Sequence, residues 1–342
     1  MKYPAPLRPG SRIAITAFSS GVRASVHPRL DLVISDLRSR GFEVIEGQCL
    51  RQNHKHVSAD AQQRATELMT FLCDGTFDAV VPPWGGERAI ELLSLLDFDQ
   101  LRQVKPKWIF GYSDVSTITA VISCLCGWAT AHCANLLDMI NAQPDPLTAN
   151  TLNYLATETS GSFTQYSAEH YQLNHMPFEH DPQAVLNLTE AVTWKALTGQ
   201  TTVKFSGRLF GGCLDTLQHL VATPVLDLKI LRRRFEPEGL LLYFENVELS
   251  PSELLRTLYS LKFKDMFIGI NGLLIGRNSA VSEDSSGFSD MDVLHQLFAN
   301  ADFPILYDVD IGHRQPNLTL INGALATVTF EHGGGRVQQW LL

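Results

Sequence analysis

The sequence has no apolar run of membrane-spanning length, no Cys-x-x-Cys pair and no basic stretch free of nearby acids. Each absence closes off a class of function. A membrane helix needs about 20 consecutive apolar residues, so neither a span nor a membrane partner is expected. The six cysteines, Cys49, Cys73, Cys124, Cys126, Cys133 and Cys213, show no zinc-ribbon or redox spacing, and most sit inside apolar segments, as small buried residues do. With 27 basic and 36 acidic residues the formal net charge is −9. That balance is ill suited to a nucleic-acid polymer, whose binding rests on basic patches. The one dense basic run, Arg232-Arg233-Arg234, is followed by Glu236 and Glu238 and reads as a solvated face. No G-x-G-x-x-G or Walker sequence follows the first expected strand, and no repeat or low-complexity tract is evident. Met1-Lys2-Tyr3-Pro4-Ala5-Pro6 lacks the apolar core of a signal peptide, so a reducing cytoplasm is the expected compartment.

What is present is a chain of 342 residues, 45% hydrophobic and 18% charged, long enough for two domains. In the first part, short apolar segments predict strands at 12–18, 42–45, 77–81 and 108–110. They alternate with helical spacing at 27–40, 58–73, 87–96 and 114–126. Such alternation argues for an α/β fold with a parallel sheet covered on both faces. From 141 to 182 periodicity fades and Pro, Asn, Thr, Ser and His become frequent. Strands are expected again at 202–209, 239–245, 270–276, 304–308, 318–321 and 324–330, with helices at 213–222, 252–261 and 290–299. The expected division is an N-terminal α/β domain over 1–160, a linker over 161–183 and a C-terminal mixed α/β domain over 184–342.

In parallel sheets ligands bind at the carboxyl ends of the strands, and two junctions fall there. At Gly111-Tyr112-Ser113 a strand turns into a helix, lifting the Ser113 hydroxyl at the sheet's end. This is the logic of a nucleophile elbow, although Val115 replaces the second glycine of G-x-S-x-G. The amide of Asp114 then lies at a helix N-terminus, where unpaired N–H groups favour an oxyanion. At Trp84-Gly85-Gly86 the glycine pair lets a substrate approach the main chain, and the Gly86 amide is a second oxyanion donor. The plainer alternatives are a serine helix cap and a helix-initiating turn. A serine hydroxyl needs a base, and the base an orienting group. His313 follows a buried strand beside Gly312, and Glu245 ends the most hydrophobic strand of the chain. Asp308, Asp310 and Glu248 compete with Glu245, and spacing does not choose among them. His54-x-His56 reads as a pair of surface histidines rather than a metal site.

The segments Trp84-Gly-Gly86, Ile109-Phe-Gly-Tyr-Ser-Asp114, Gly207-Arg-Leu-Phe-Gly-Gly212, Leu242-Tyr-Phe-Glu245 and Gly312-His-Arg-Gln-Pro-Asn317 together resemble the LD-carboxypeptidase family of serine peptidases. The resemblance spans nearly the whole chain, in order. It implies a Ser–Glu–His triad of Ser113, Glu245 and His313, with oxyanion donors at Gly86 and Asp114. It also implies a three-layer α/β N-terminal domain, a distinct C-terminal domain, an active site between them and a homodimer. No cofactor or metal is implied. One branch trims murein tetrapeptides. The other, the microcin C self-immunity branch, cleaves a peptidyl- or aminoacyl-nucleotide. Trp84-Gly-Gly-Glu87 and Val192-Thr-Trp-Lys195 look more like the second, with Trp194 a candidate to stack on a base. Gly85, Arg88, Arg208 and Arg314 are further candidates for substrate binding. Cys213 departs from the family's usual asparagine, and His132-Cys133-Ala134 from its usual His-Gly-Pro. Two readings of other kinds stand beside this one. They are a non-catalytic nucleotide-binding protein and a metal-dependent hydrolase built on His54, His56 or His132.

Overall fold

The computed structural model describes all 342 residues, Met1–Leu342. Strands β1 (Arg12–Ile15), β2 (Glu43–Glu46) and β3 (Ala79–Val81) form a parallel sheet in the order β2-β1-β3. Parallel bridges from Ala79 to Trp108 and from Phe110 to Ala131 carry it on to β4 (Ala131–His132). Side chains alternate across a strand, and the core divides accordingly. Ile13 and Ile15 face one core with Leu30, Val33 and Leu37 of helix α1 (His27–Ser39). Ala14 faces the other, with Leu68 and Leu72 of α2 (Ala61–Cys73). Also on that side are Leu101 of α3 (Phe98–Gln103) and Ile118 and Val121 of α4 (Val115–Cys126). This is the expected three-layer arrangement. One helix differs. Where 87–96 has helical spacing, only a 3-10 turn forms, at Ala89–Leu92. The amides at its start are accepted by distant side chains, Arg88 N–H by Ser19 Oγ and Ala89 N–H by Asp114 Oδ2.

The remaining strands are β5 (Ser162–Tyr166), β6 (His170–Gln172), β7 (Leu188–Ala191), β8 (Lys195–Ala196), β9 (Thr202–Cys213), β10 (Leu240–Glu245), β11 (Ile270–Gly276), β12 (Ile305–Val309), β13 (Leu320–Ile321), β14 (Leu325–Glu331) and β15 (Gly334–Trp340). Eight of them form a mixed sheet, β5-β15-β14-β9-β10-β11-β12-β8. Its centre, β9 to β12, is parallel, and the flanking pairs are antiparallel. The stretch 161–183 thus supplies an edge strand, β5, and β6, which pairs with β7. All six residues of β10 are buried, as its unbroken apolar run requires in a parallel sheet covered on both faces. The two halves interlock. β13, from late in the chain, pairs antiparallel with β4 of the N-terminal sheet, and Asn322 N–H donates to Thr130 O at 2.8 Å.

Just past β12, Asp310 is fully buried. It accepts from Arg277 Nη1 at 2.7 Å, Trp194 Nε1 at 2.8 Å and Ala168 N at 3.2 Å. Breaking a buried pair by deleting one partner strands the other charge. Asp310→Ala is therefore expected to cost about 3–5 kcal/mol, read as a lowered denaturant midpoint.

Candidate active site

Ser113 sits at the turn into α4 with φ +66°, a left-handed conformation unusual for a side-chain-bearing residue. Gly111, at φ +136°, makes the turn possible, because a Cβ there would fall 2.6 Å from Asn135 Oδ1. That same oxygen accepts the Tyr112 N–H at 3.1 Å. The buried Asp114 carboxylate clamps the elbow to its surroundings. It accepts from Ser19 Oγ at 2.6 Å, Ala89 N at 2.8 Å and Thr117 Oγ1 at 2.8 Å. The glycine turn is thereby held over the serine. A Cβ on Gly85 would lie 3.0 Å from Ser113 Oγ and 2.9 Å from Asp114 N. The amides of Gly86 and Asp114 donate to no protein acceptor.

On the other side, β10 ends at Glu245, in register with Cys213 of β9. Glu245 is fully buried, and its neighbours make room for it. A Cβ on Gly276 would come 2.8 Å from Glu245 Cβ, and one on Gly312 would come 2.5 Å from Oε2. Gly312, at φ +100°, lets the following residue turn back over the carboxylate. His313 Nδ1 then lies 2.9 Å from Glu245 Oε2. Tyr112, the residue before Ser113, packs edge-on against the His313 ring at 4.8 Å and 82°, so the elbow and the histidine loop meet. Burial alone would push the imidazole down. The charge and hydrogen bond of Glu245, helped by Asp215 and Glu248, raise it above its ordinary value. Burial would likewise push Glu245 up, and the His313 charge and hydrogen bond bring it below the usual carboxylate value. A cavity of ≈210 Å³ opens on Ser113, lined also by Gly86, Glu87, Cys213, Asp215 and Glu248.

The competing acids are placed otherwise. Asp308 pairs with Lys195 Nζ at 2.8 Å, Asp310 with Arg277, and Glu248 is exposed at the cavity. Three substrate-binding candidates do not meet there. Trp194 is 1% exposed and spends its N–H on Asp310, so it has no face free to stack on a base. Arg208 pairs with Leu240, at the end of β10 away from Glu245, and donates to Glu238 at 2.7 Å. Arg314 donates to Leu173 O at 2.9 Å, among the residues of a separate cavity with Arg277 and Asp308. Arg88 is taken up by Glu91 and by Lys55 O at 3.1 Å. No group of three His, Cys, Asp or Glu side chains stands in metal-binding geometry. His54 and His56 are exposed, and His132 is buried. Sequence reasoning passed over Tyr112 and Gln315. Gln315 Nε2 donates to Tyr112 Oη at 3.1 Å and to Asp138 Oδ2 at 2.7 Å. Both lie inside the segments that carry the family resemblance, but nothing local in either segment shows that the two will meet.

Two family models match the chain, the LD-carboxypeptidase N-terminal domain over residues 13–133 and the LD-carboxypeptidase C-terminal domain over 206–328. The chain belongs to the LD-carboxypeptidase family. Its relatives include a Vibrio cholerae protein named as a carboxypeptidase, 25% identical over 97% of this chain and 96% of the relative. The microcin C7 self-immunity protein MccF of Escherichia coli is 23% identical over 96% and 93%. A Bacillus subtilis protein named as a murein peptide carboxypeptidase is 26% identical over 90% and 88%. Among solved structures, an MccF-like protein from Bacillus anthracis superposes with TM-score 0.83 at 20% identity, over 99% of both chains. MccF in complex with aspartyl sulfamoyl adenosine gives 0.81 at 21%, also over 99% of both. The fold is therefore that of the LD-carboxypeptidases along its whole length.

The two histidines near Glu245 should titrate far apart. Histidine-ring NMR is expected to show His313 changing protonation above its ordinary 6.5 and His132, pushed down mainly by burial, near about 4. Replacing Glu245 with Gln removes the charge that favours the imidazolium, so His313 should then titrate lower.

Proposed function

We propose that this LD-carboxypeptidase family member is a serine-type carboxypeptidase that uses Ser113, His313 and Glu245 as its triad. The observation that carries this reading is the fully buried Glu245 in contact with His313 at 2.9 Å, beside an elbow whose serine has positive φ. With its Nδ1 proton held by Glu245, His313 has Nε2 free to take the Ser113 proton. The serine oxygen attacks the amide carbonyl, and the oxyanion forms against the unpaired amides of Gly86 and Asp114. His313 then gives its proton to the leaving amine, and water, activated by the same nitrogen, releases the acyl group. Ser113 Oγ opens on the cavity, and catalytic hydrogen bonds of this kind tighten when substrate binds.

The cavity wall supports a peptide substrate. The wall carries the carboxylates of Glu87, Asp215 and Glu248, with His219 and the already bonded Asp114, and no lysine or arginine. Such a wall supports a small peptide whose free amino group lies against these acids while its terminal carboxylate is directed away from them. The reading closest to MccF, hydrolysis of an aminoacyl- or peptidyl-nucleotide, draws on the kinship with that protein. It loses the stacking surface expected of Trp194.

Ser113→Ala is expected to lower kcat by roughly 10⁶-fold; near-wild-type turnover by that variant would end the proposal. Glu245→Gln should cost less, about 10⁴-fold. The acid limb of kcat/KM should lie above pH 6.5, since His313 works in its neutral form and its value is raised, and Glu245→Gln should move that limb to lower pH. In a paired incubation, a murein tetrapeptide bearing a free side-chain amine should release its terminal residue faster than an aspartyl-adenylate mimic is cleaved. The reverse order would return the substrate assignment to the nucleotide class.

A further inference from the structure

Behind the Glu245–His313 pair, the interior holds polar atoms that no protein group satisfies. Glu245 Oε1 is buried without a hydrogen bond, and so are both ring nitrogens of His132. His132 is 1% exposed and lies on β4, paired with Leu320 of β13. Its ring centroid is 5.5 Å from that of Tyr243 and 6.3 Å from that of Tyr112. Tyr243 precedes Glu245 by two positions on β10, so the two side chains share a face of the strand.

The neighbouring polar groups have partners of their own. Tyr243 Oη donates to Asn322 Oδ1 at 2.9 Å, and Tyr112 Oη accepts from Gln315. Cys213, next to Glu245 across the sheet, has its thiol shared between Asp215 Oδ2, at 3.5 Å, and the Glu245 carboxylate, a weak donor that leaves Oε1 short of a full hydrogen bond. The charges acting on His132 are Glu245, which favours protonation, and His313, which opposes it. Burial outweighs both and holds the ring neutral, with a value pushed down to about 4. A neutral imidazole still carries one N–H. In a dry interior that donor and the bare carboxylate oxygen are each costly to leave unpaired.

We propose that His132 is a positioning residue for the catalytic pair, donating its ring N–H through one buried water to Glu245 Oε1. Buried waters characteristically join polar groups that would otherwise be orphaned. The resulting chain runs His313–Glu245–water–His132. It fixes the rotation of the carboxylate so that Oε2 faces His313 Nδ1, and it draws negative charge toward Oε1. A hydrogen bond to a carboxylate stabilises its ionised form. Without that bond, Glu245 becomes more basic and holds the His313 proton harder. The groups that set the balance are Glu245 and Tyr243 on β10, Cys213 at the end of β9, Tyr112 at the elbow, the buried Asp138 behind it, and Asp215 and Glu248 acting on His313 from the cavity side.

The kinetic consequence rests on the serine-hydrolase reading, and the ring titration does not. Histidine NMR on the resting protein would compare the wild type with His132→Phe, which has no donor, and His132→Gln, which keeps one. His132→Phe is expected to raise the His313 value by about half a unit or more. It should also lower kcat about tenfold, the rate equivalent of one hydrogen bond, with KM unchanged. His132→Gln should recover most of both. An unchanged His313 titration in His132→Phe overturns the proposal, as does a folded His132→Gln that behaves like His132→Phe. If His132→Phe does not fold, a high-resolution crystal structure of the wild type decides. An ordered water within hydrogen-bond reach of both His132 and Glu245 Oε1 supports the relay, and a dry gap overturns it. An active Ser113→Ala would sink the hydrolase reading while leaving the His313 titration intact, so the two failures are distinguishable.

Discussion

A carboxylate with no exposed surface must be given a counter-charge and hydrogen bonds, or it will not stay ionised. Glu245 imposes that demand on the C-terminal half of the molecule. Gly276 and Gly312 withhold side chains where a Cβ would collide with it, and the left-handed turn at Gly312 brings His313 over its Oε2. The loop that carries His313 is anchored in turn. Gly312 N–H donates to Asn317, and Arg277, neutralised by Asp310, donates to the backbone oxygens of Arg314 and Pro316. The acid at the strand end and the histidine in the loop are thus parts of one buried charge arrangement.

A second buried carboxylate does the corresponding work in the N-terminal half. Asp114 binds Ser19 from the loop after β1, Ala89 from the turn after β3, and Thr117 of its own helix. Three chain segments are thereby held at the carboxyl end of the parallel sheet. The glycine turn and Ser113 come into contact there without either segment being long or strongly helical.

Much of this was legible in the sequence because it depends on local pattern. Alternating apolar segments predict the three-layer half, and an unbroken apolar run ending on Glu245 marks a buried carboxylate in need of a partner. The Gly-Gly pair at 85–86 marks a close approach of main chain. Other features depend on residues far apart in the chain. Trp194 looked available because nothing near it reveals Asp310, and Arg208 because Glu238 and the carboxyl end of the chain at Leu342 meet it only after folding. His132 carries no local sign that its ring will be walled in by Tyr112 and Tyr243. The edge strand β5 is hidden in a polar stretch because its partner, β15, lies far along the second half of the chain, at Gly334–Trp340.

The pairing of β13 with β4 sets an order on the protein's birth. As the chain leaves the ribosome, the N-terminal layers emerge first, yet their sheet lacks its last member until Leu320 and Ile321 have been made. The imidazole and the buried acid are likewise encoded in the later part. A chain made only as far as β12 therefore has the N-terminal sheet without β13, and the buried acid without its imidazole partner.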